Sequence, residues 1–262
     1  MPDATIIQLI ADYGVGDPAF AEVIQKLTYL DKTIRVSAIS VPPFSTIATG
    51  VWISQFATVN PFPGLIIYSN TAPRIKIAEN TYKTKYGHLA YTKLDNGTII
   101  VAVHVGYCFS FIKDKIKSLH LVNVANEGSQ FRSRDYYPDA VIGIAHGDAK
   151  FIGEEIPIDS VLDLPKNVIA FVDGYGNLKT TTRRSQCDIS VGSKVRISCN
   201  NALFEGVVAD ETYKIEDGEF SFAPGSTGGE DRFMEIWVRG KSAWEAFNRP
   251  HVEEAFTIEV VK

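Results

Sequence analysis

Residues 5–18 read TIIQLIADYGVGDP, an apolar run that ends at an aspartate and continues through two glycines to a proline. The apolar run has the length and composition of a buried β-strand, and Pro18 suits the first turn of a helix. Residues 20–27 then place their apolar side chains at helical spacing. The opening segment therefore predicts a strand, a polar loop and a helix, which is the beginning of an α/β domain.

The same alternation of strands and helices continues through the first half of the chain. The predicted elements are strands over 34–39 and 65–68, a helix over 46–58 and a hairpin whose strands are 89–93 and 98–104. Ser45 would cap the helix, and Asp95-Asn96-Gly97 is a strong hairpin signal between the last two strands. We therefore expect an α/β N-terminal domain, residues 1–153, with a mixed central sheet.

The second half of the chain has a different pattern. Residues 154–167 are acidic and contain Pro157 and Pro165, so we predict a linker. Short apolar runs follow, separated by Gly, Asn, Asp or Pro, and they predict strands over 168–172, 194–198, 203–208, 220–222, 233–238 and 256–260. This pattern is typical of an all-β, barrel-like C-terminal domain, residues 168–262.

The composition argues against several classes of protein. A formal net charge of −5 disfavours a nucleic-acid partner, which would normally meet a basic surface. No apolar stretch approaches the roughly 20 residues that cross a bilayer, and the N-terminus lacks the basic start of a signal peptide. We therefore expect a cytoplasmic protein with no membrane partner. The three cysteines and five histidines have no metal-ligand spacing, so no metal is expected.

Asp12, which follows the first predicted strand, is a candidate ligand-binding residue. Its carboxylate can accept both hydroxyls of a ribose, a bidentate arrangement that neutral side chains match poorly. Asp17 stands where a helix N-cap belongs, so it is either a cap or a second ligand contact. The spacing Gly14-x-Gly16 lacks the third glycine and the downstream acid of a dinucleotide fingerprint, which disfavours an NAD site.

A second polar segment follows the strand predicted at 168–172, where residues 173–178 read DGYGNL. A carboxylate at a strand end followed by glycines is a common way to hold a polar small molecule. Asn177 offers a donor and an acceptor to an adenine edge, and Tyr175 can stack on a ring. The alternative is a glycine-rich turn with Asn177 in a left-handed conformation.

The order and spacing of these motifs resemble the S-adenosylmethionine hydroxide adenosyltransferase family, which includes the adenosyl fluoride and chloride synthases. The resemblance runs through nearly the whole chain, and it rests on the order of the motifs rather than on any one of them. In chain order the motifs are Ala11-Asp12-Tyr13-Gly14 with Asp17, Val41-Pro42-Pro43-Phe44, Phe62-Pro63-Gly64, Leu94-Asp95-Asn96-Gly97, Phe131 with Arg134-Asp135, Asp173 to Leu178, and Met234-Glu235-Ile236 with Ser242-Ala243.

The resemblance implies an activity, a set of roles and an assembly. Water attacks C5′ of S-adenosylmethionine, the substrate or ligand, and releases adenosine and methionine without a further cofactor. Asp12 would hold the ribose hydroxyls, Asp173 the methionine ammonium and Asn177 the adenine edge. Tyr175 and Ser242 belong to the same set of ligand-binding residues. Since the family assembles as trimers, we expect a homotrimer.

The chain departs from the family where the water is activated. Hydrolytic members use an Asp, an Arg and a His for this step. Residues 68–74 here read YSNTAPR, without an Asp, and Arg132 stands where the His is expected. Asn70, Arg74 and Arg132 are therefore the candidate catalytic residues. Two arginines would make the site positive, which suits an anion better than a sulfonium.

Tyr107 and Ser110, which both follow the predicted hairpin, are further candidates to face the same cavity. The sequence leaves two main functional hypotheses from different classes. One is a divergent hydrolase-like enzyme that acts on S-adenosylmethionine or a related adenosyl compound, and the other is a catalytically silent protein that binds S-adenosylmethionine or adenosine. A sugar or nucleotide binder unrelated to this family is a third reading.

Overall fold

The computed structural model describes residues 5–71, 87–125, 127–211 and 215–261. The chain forms two compact units, Met1–Asp163 and Leu164–Lys262. Each unit contains a mixed β-sheet, and the helices of the described residues lie mainly in the first unit. The structure thus has the α/β character that the sequence predicts for its first half.

The first unit is built on a seven-stranded sheet within its described residues. Its strands are β1 Ile6–Ala11, β2 Arg35–Ser40, β3 Leu65–Asn70, β4 Leu89–Lys93, β5 Ile99–Val103, β6 Leu119–Val122 and β7 Ile152–Ile156. Their order is β2-β1-β3-β5-β4-β6-β7. The first four strands of this order run parallel, and the remaining pairs are antiparallel. The predicted mixed sheet and the hairpin between β4 and β5 are confirmed.

The two long helices of the first unit begin at the residues that the sequence predicts. They are α1 Pro18–Leu30 and α2 Thr46–Thr58, and two shorter helices follow, α3 Arg132–Asp135 and α4 Tyr137–Ala145. Asp17 caps α1 by accepting a hydrogen bond from the backbone N–H of Ala19, at 2.8 Å. Ser45 caps α2 in the same way through the N–H of Ala48, at 3.1 Å. These bonds satisfy N–H groups that have no partner within the helix.

The helices pack on both faces of the first sheet. The hydroxyl of Tyr68 in β3 donates to the backbone carbonyl of Ser133 in α3, at 2.8 Å. Thr71, three residues further along, bonds through its hydroxyl to Thr49 in α2, at 2.6 Å. Because successive side chains of a strand point to opposite faces, these bonds place α3 and α2 on opposite sides of the sheet. Helix α1 contacts α3 and α4.

The second unit contains another mixed seven-stranded sheet within its described residues. Its strands are β8 Ile169–Val172, β9 Leu178–Arg183, β10 Lys194–Cys199, β11 Ala202–Val208, β12 Phe220–Pro224, β13 Phe233–Val238 and β14 Thr257–Val260, and one short helix, α5, spans Ala243–Ala246. The order is β14-β10-β11-β12-β13-β9-β8, and among these described strands only β11 and β12 pair in parallel.

The second sheet curls so that the residues before one edge strand bond the other edge. The backbone N–H of Ile169 in β8 donates to the carbonyl of Glu254 at 2.8 Å, and the N–H of Phe256 donates to Asn167 at 2.9 Å. An apolar core that includes Leu178, Ile236 and Phe247 fills the unit.

The boundary between the units differs from the prediction over a few residues. Glu154, Glu155 and Ile156 fall in the predicted linker, but they continue β7, where Ile156 pairs with Leu119 and Glu155 with His120. The acidic side chains are exposed on this edge strand, which is why the segment resembles a linker in sequence. None of the described helices is long and apolar enough to span a membrane.

Candidate functional site

The first candidate site lies where the first sheet changes its direction of winding. The chain passes from β1 to β2 on one side and then returns to β3 on the other side of β1. In open α/β sheets, ligands bind outside the carboxyl ends of the strands at such a switch point. Asp12 directly follows β1, and Asn70 is the last residue of β3, paired with Ala11. The fold therefore brings Asp12 and Asn70 to the same edge of the sheet.

A pocket of about 350 Å³ opens at this edge. It is lined by Asp12, Tyr13, Gly14, Asp17, Pro43, Phe44, Asn70, Gln130, Phe131, Arg132 and Ser133. Four of the residues singled out from the sequence are among them, namely Asp12, Asp17, Asn70 and Arg132. Arg74 lies outside the described residues. Tyr107 and Ser110 do not line this pocket, and Ser110 begins a turn that packs against α2.

The carboxylate of Asp12 is held in place by the loop before α2. Its Oδ2 accepts a hydrogen bond from the backbone N–H of Phe44, at 3.1 Å. Phe44 has a φ of 66°, in the left-handed region that few residues with side chains adopt. The next residue, Ser45, caps α2, so the Asp12 carboxylate lies close to the start of that helix. Negative charge is stabilised near a helix N-terminus.

Beside Asp12, three neutral side chains form a hydrogen-bonded group. The hydroxyl of Tyr13 lies 2.5 Å from Oγ of Ser133 and accepts a hydrogen bond from the side-chain amide of Asn70 at 3.3 Å. Ser40 donates to the backbone carbonyl of Tyr13 at 2.5 Å. Burial raises the pKa of Tyr13 to about 12. The phenol is therefore protonated at neutral pH and is a poor general base.

Helix α3 brings Arg132 and Ser133 to the pocket, and ion pairs attach it to its surroundings. Arg134 bonds Oε2 of Glu22 in α1 at 2.5 Å and Oδ1 of Asp135 at 2.6 Å. The guanidinium of Arg132 lies 5.8 Å from the centre of the Tyr137 ring. The motif Arg134-Asp135 thus has a structural role, which is to hold this short helix against α1.

Asp17 lines the same pocket, but its carboxylate also serves α1. The bond to Ala19 confirms the capping role that the sequence predicts. Among the described lining residues, two carboxylates, Asp12 and Asp17, outnumber the one guanidinium, Arg132. The charge of the described part of this lining therefore favours a cationic ligand group. The expectation of a positive site also rests on Arg74, which lies outside the described residues.

The second candidate site is a pocket of about 1040 Å³ in the second unit. Its lining brings together all four residues that the sequence assigns to ligand binding in this half, Asp173, Tyr175, Asn177 and Ser242. Other lining residues include Lys179, Arg232, Glu235, Trp237 and Lys241. Tyr175 is 84% exposed at the tip of its loop, so its ring is available for stacking on a ligand.

The loop between β8 and β9 is shaped by Gly176. Its φ is +80°, and a Cβ added there would lie 2.1 Å from Oγ of Ser242. The backbone N–H of Trp244 donates to the carbonyl of Gly176 at 2.8 Å, and Ser242 caps α5 by accepting from Glu245. Glycine at this position therefore allows the loop to pack directly against the start of α5.

A buried ion pair at this pocket was not predicted from the sequence. Nζ of Lys179 lies 2.6 Å from Oε1 of Glu235 and 3.6 Å from Oδ2 of Asp173. Oε1 of Glu235 also accepts from the backbone N–H of Ser226, at 3.2 Å. Lys179 and Glu235 are opposite each other in the pairing of β9 with β13, and a sequence alone does not give that register. No group of His, Cys, Asp or Glu side chains in the described ranges could hold a metal ion.

Two solved structures resemble this chain over nearly its whole length. An uncharacterized conserved protein from Thermotoga maritima superposes with a TM-score of 0.75 at 15% identity, over 97% of this chain and 100% of that one. A conserved hypothetical protein from Thermus thermophilus gives a TM-score of 0.68 at 18% identity, over 98% of this chain and 100% of that one. At these identities the likeness shows the fold alone. No family model and no curated protein matches the chain.

Proposed function

We propose that this protein binds an adenosyl compound, S-adenosylmethionine or adenosine, as a divergent relative of the S-adenosylmethionine hydroxide adenosyltransferases. The observation that carries the proposal is the position of Asp12. Its carboxylate stands at the carboxyl end of β1, at the switch point of the sheet, and borders a pocket of about 350 Å³.

Asp12 is suited to the two hydroxyls of a ribose. A carboxylate has two oxygens and can accept two parallel hydrogen bonds, which gives both affinity and orientation. Phe44 donates to one of these oxygens and so limits rotation of the side chain. Asp17 supports binding through its charge, while its oxygen is engaged with α1.

The charge of the described lining supports a sulfonium ligand. A sulfonium is a cation, and a pocket in which carboxylates outnumber the guanidinium attracts it. In the second unit, the proposal assigns the adenine edge to Asn177 and stacking to Tyr175. Asp173, whose two oxygens accept hydrogen bonds from these two residues, holds the loop that carries them. These residues line one pocket together with Ser242, which supports their assignment to a single ligand.

The proposed reaction is hydrolysis of S-adenosylmethionine. The oxygen of water bonds to C5′ while the C5′–sulfur bond breaks, and the sulfur keeps the electron pair and leaves as neutral methionine. The water then loses a proton to solvent, and the other product is adenosine. Because the leaving group is already activated, catalysis depends on positioning and desolvating the water. Asn70, Arg74 and Arg132 are the candidates for this role.

A silent binding protein is the second candidate function, and the Tyr13 group favours it. Tyr13, Ser133 and Asn70 are neutral and already bond one another. The pKa of Tyr13, about 12, makes its phenol unable to activate water at neutral pH. No histidine of the described residues lines the pocket.

Calorimetric titrations with two nucleosides test the role of Asp12. Wild-type protein should bind adenosine more tightly than 2′,3′-dideoxyadenosine, which lacks both hydroxyls. Asp12→Asn should weaken adenosine binding by roughly tenfold or more and should leave dideoxyadenosine binding nearly unchanged. Asp114→Asn, which makes the same change at an exposed position outside the pocket lining, is the control and should leave adenosine binding unchanged. Equal affinity of wild type and Asp12→Asn for adenosine would contradict the proposal.

Chromatography of the protein incubated with S-adenosylmethionine separates the two candidate functions. Adenosine and methionine that accumulate in equal amounts would establish the hydrolase. Binding of S-adenosylmethionine without these products would establish the silent binder.

The resemblance also extends to shape and assembly. We propose that the second unit is a barrel-like β-domain and that the chain forms a homotrimer in the cytoplasm. The bonds between β8 and residues 254–256 support a sheet that approaches closure. Analytical ultracentrifugation that gives one or two chains per particle would contradict the trimer.

A further inference from the structure

The carboxylate of Asp173 makes contacts that go beyond those of a free ligand-binding group. Oδ1 accepts hydrogen bonds from the backbone N–H groups of Tyr175 and Asn177, both at 3.0 Å. Oδ2 accepts from the side-chain amide of Asn177, also at 3.0 Å. Lys179 lies 3.6 Å from the same oxygen. Both oxygens are therefore engaged within the protein.

These contacts decide which way the Asn177 amide faces. A carboxylate has only acceptors, so the Asn177 atom beside Oδ2 of Asp173 must be the nitrogen, Nδ2. The amide oxygen, Oδ1, then has the opposite direction. It accepts no hydrogen bond from any other described residue, and Asn177 lines the large pocket. The amide oxygen, an acceptor, is thus the group that Asn177 can offer to a ligand in this pocket.

The anchor of this arrangement lies in the interior of the second unit. Lys179 and Glu235 each have only 6% of their side chains exposed, and their charged atoms are 2.6 Å apart. Glu235 is fixed in turn by the N–H of Ser226. If the Lys179 ammonium moved away from Asp173, it would also leave the buried carboxylate of Glu235 unpaired, which is costly. The ammonium is therefore held beside Asp173. Asp173 therefore has a fixed position from which it orients Asn177.

We propose that Asp173 is a positioning residue that makes the pocket select a ligand with an amino group over one with a keto group. This inference rests on the proposed adenosyl function and adds the chemical basis of its base specificity. The 6-amino group of adenine donates a hydrogen bond to the fixed oxygen of Asn177. The 6-keto oxygen of hypoxanthine meets that oxygen as a second acceptor, and two acceptors repel each other.

The variant Asp173→Asn tests the inference because it replaces the acceptor beside the Asn177 amide with a donor. The new amide keeps its oxygen towards the two backbone N–H groups and presents its NH2 to Asn177. Lys179 loses its contact with residue 173 but keeps its closer partner, Glu235. Asn177 then turns its own oxygen to that NH2 and its nitrogen to the pocket. A nitrogen donor there favours a keto oxygen over an amino group.

The experiment is calorimetric titration of wild type and variants with adenosine and with inosine, which differ at this group. Wild type should bind adenosine about tenfold or more tightly than inosine, and Asp173→Asn should lose or reverse that preference. A variant that keeps the wild-type preference for adenosine overturns the inference. Asn177→Ala, which leaves the backbone bonds to Asp173 intact, should bind the two nucleosides equally. Adenosine preference in Asn177→Ala also overturns the inference.

The outcomes separate this inference from the function on which it rests. If wild type binds neither adenosine nor S-adenosylmethionine, the proposed function fails. If wild type binds adenosine and inosine equally, the proposed function stands and the inference fails. Thermal unfolding of each variant shows whether it is folded. If Asp173→Asn does not fold, Asn177→Ala provides the test.

Discussion

The ammonium of Lys179 lies 2.6 Å from the carboxylate of Glu235, in a pair whose side chains are each 6% exposed. The pair crosses from β9 to β13 and adjoins Asp173. Such a pair contributes little net stability compared with apolar residues of the same volume, because both charges lose their hydration. Removing one member leaves the other charge buried and unpaired, and this is strongly destabilising.

Lys179→Met is therefore expected to lower the free energy of unfolding of the second unit by about 3–5 kcal/mol. The double variant Lys179→Met, Glu235→Met should recover most of this loss. The remaining carboxylate, Asp173, is 21% exposed and keeps its hydrogen bonds from Tyr175 and Asn177. Urea unfolding is followed by tryptophan fluorescence in a Trp52→Phe background, where the remaining tryptophans, Trp237 and Trp244, both lie in the second unit. If Lys179→Met were as stable as wild type, the Glu235 carboxylate would not depend on Lys179 for its stabilisation, which would contradict this assignment.

Gly176→Ala tests the loop that carries Asp173 and Asn177. The added Cβ would lie 2.1 Å from Oγ of Ser242, at a φ of +80°. The loop must move, so we expect adenosine binding to weaken by about tenfold or more, with a loss of roughly 1–3 kcal/mol in stability.

Gly174→Ala in the same loop is the matched control. A Cβ at Gly174 meets no atom within 4 Å, and the residue is not among those with a positive φ. Its affinity for adenosine should remain at the wild-type level. Equal affinities of wild type and Gly176→Ala in calorimetry would show that the loop does not form the binding surface.

The buried imidazole of His104 should make the stability of the first unit depend on pH. The residue is 2% exposed, and burial lowers the pKa of its imidazole to about 4, compared with about 6.5 in an unfolded chain. Between these values the folded state binds fewer protons than the unfolded state. The contribution of His104 to stability is therefore complete above about pH 6.5. It falls by about 3 kcal/mol as the pH decreases towards 4.

The comparison of wild type with His104→Gln isolates this contribution. The variant should lose less stability than wild type between pH 6.5 and 4, as measured by urea unfolding at a series of pH values. His251→Gln, at an exposed position, should keep the wild-type pH dependence. Parallel pH profiles for wild type and His104→Gln would contradict the assignment.

Tyr13→Phe tests the neutral group at the first pocket. The variant removes the hydroxyl that bonds Ser133 and Asn70, so we expect a loss of about 1 kcal/mol in the stability of the first unit. Tyr29→Phe is the control, since Tyr29 is 78% exposed and its loss of a hydroxyl should change nothing measurable. Equal effects of both substitutions on thermal unfolding would remove the structural role of the Tyr13 hydroxyl.

Local signals made part of the fold predictable from the sequence. Asp17 followed by Pro18 marks the start of α1, and Ser45 marks the start of α2, because a cap needs only residues close in the chain. Gly97, with a φ of +86°, has the conformation that the hairpin turn between β4 and β5 requires.

Strands whose polar residues are buried were not predictable in this way. Residues 178–183 read LKTTTR, and no apolar alternation identifies them as β9. Thr180 is buried because its hydroxyl donates to the carbonyl of Met234 at 2.7 Å. That partner is distant in sequence, so only the folded sheet supplies the compensation that makes a buried threonine run possible.

The candidate sites show the same division between local and distant information. The sequence predicted Asp12 and Asp173 as ligand contacts because each directly follows a strand, and Asn177 because it ends the same glycine-rich loop as Asp173. It did not reveal that Tyr13 bonds Ser133, 120 residues away, or that Lys179 pairs with Glu235. Such contacts depend on strand register and helix packing, which no short motif encodes.

The most direct test of the adenosyl function is calorimetric titration of the purified wild-type protein with adenosine and, separately, with S-adenosylmethionine. We expect saturable binding of both ligands, each weakened by Asp12→Asn. A titration in which neither ligand binds would contradict the account, because the carboxylate at the switch point and the loop of Asp173 would then have structural roles alone.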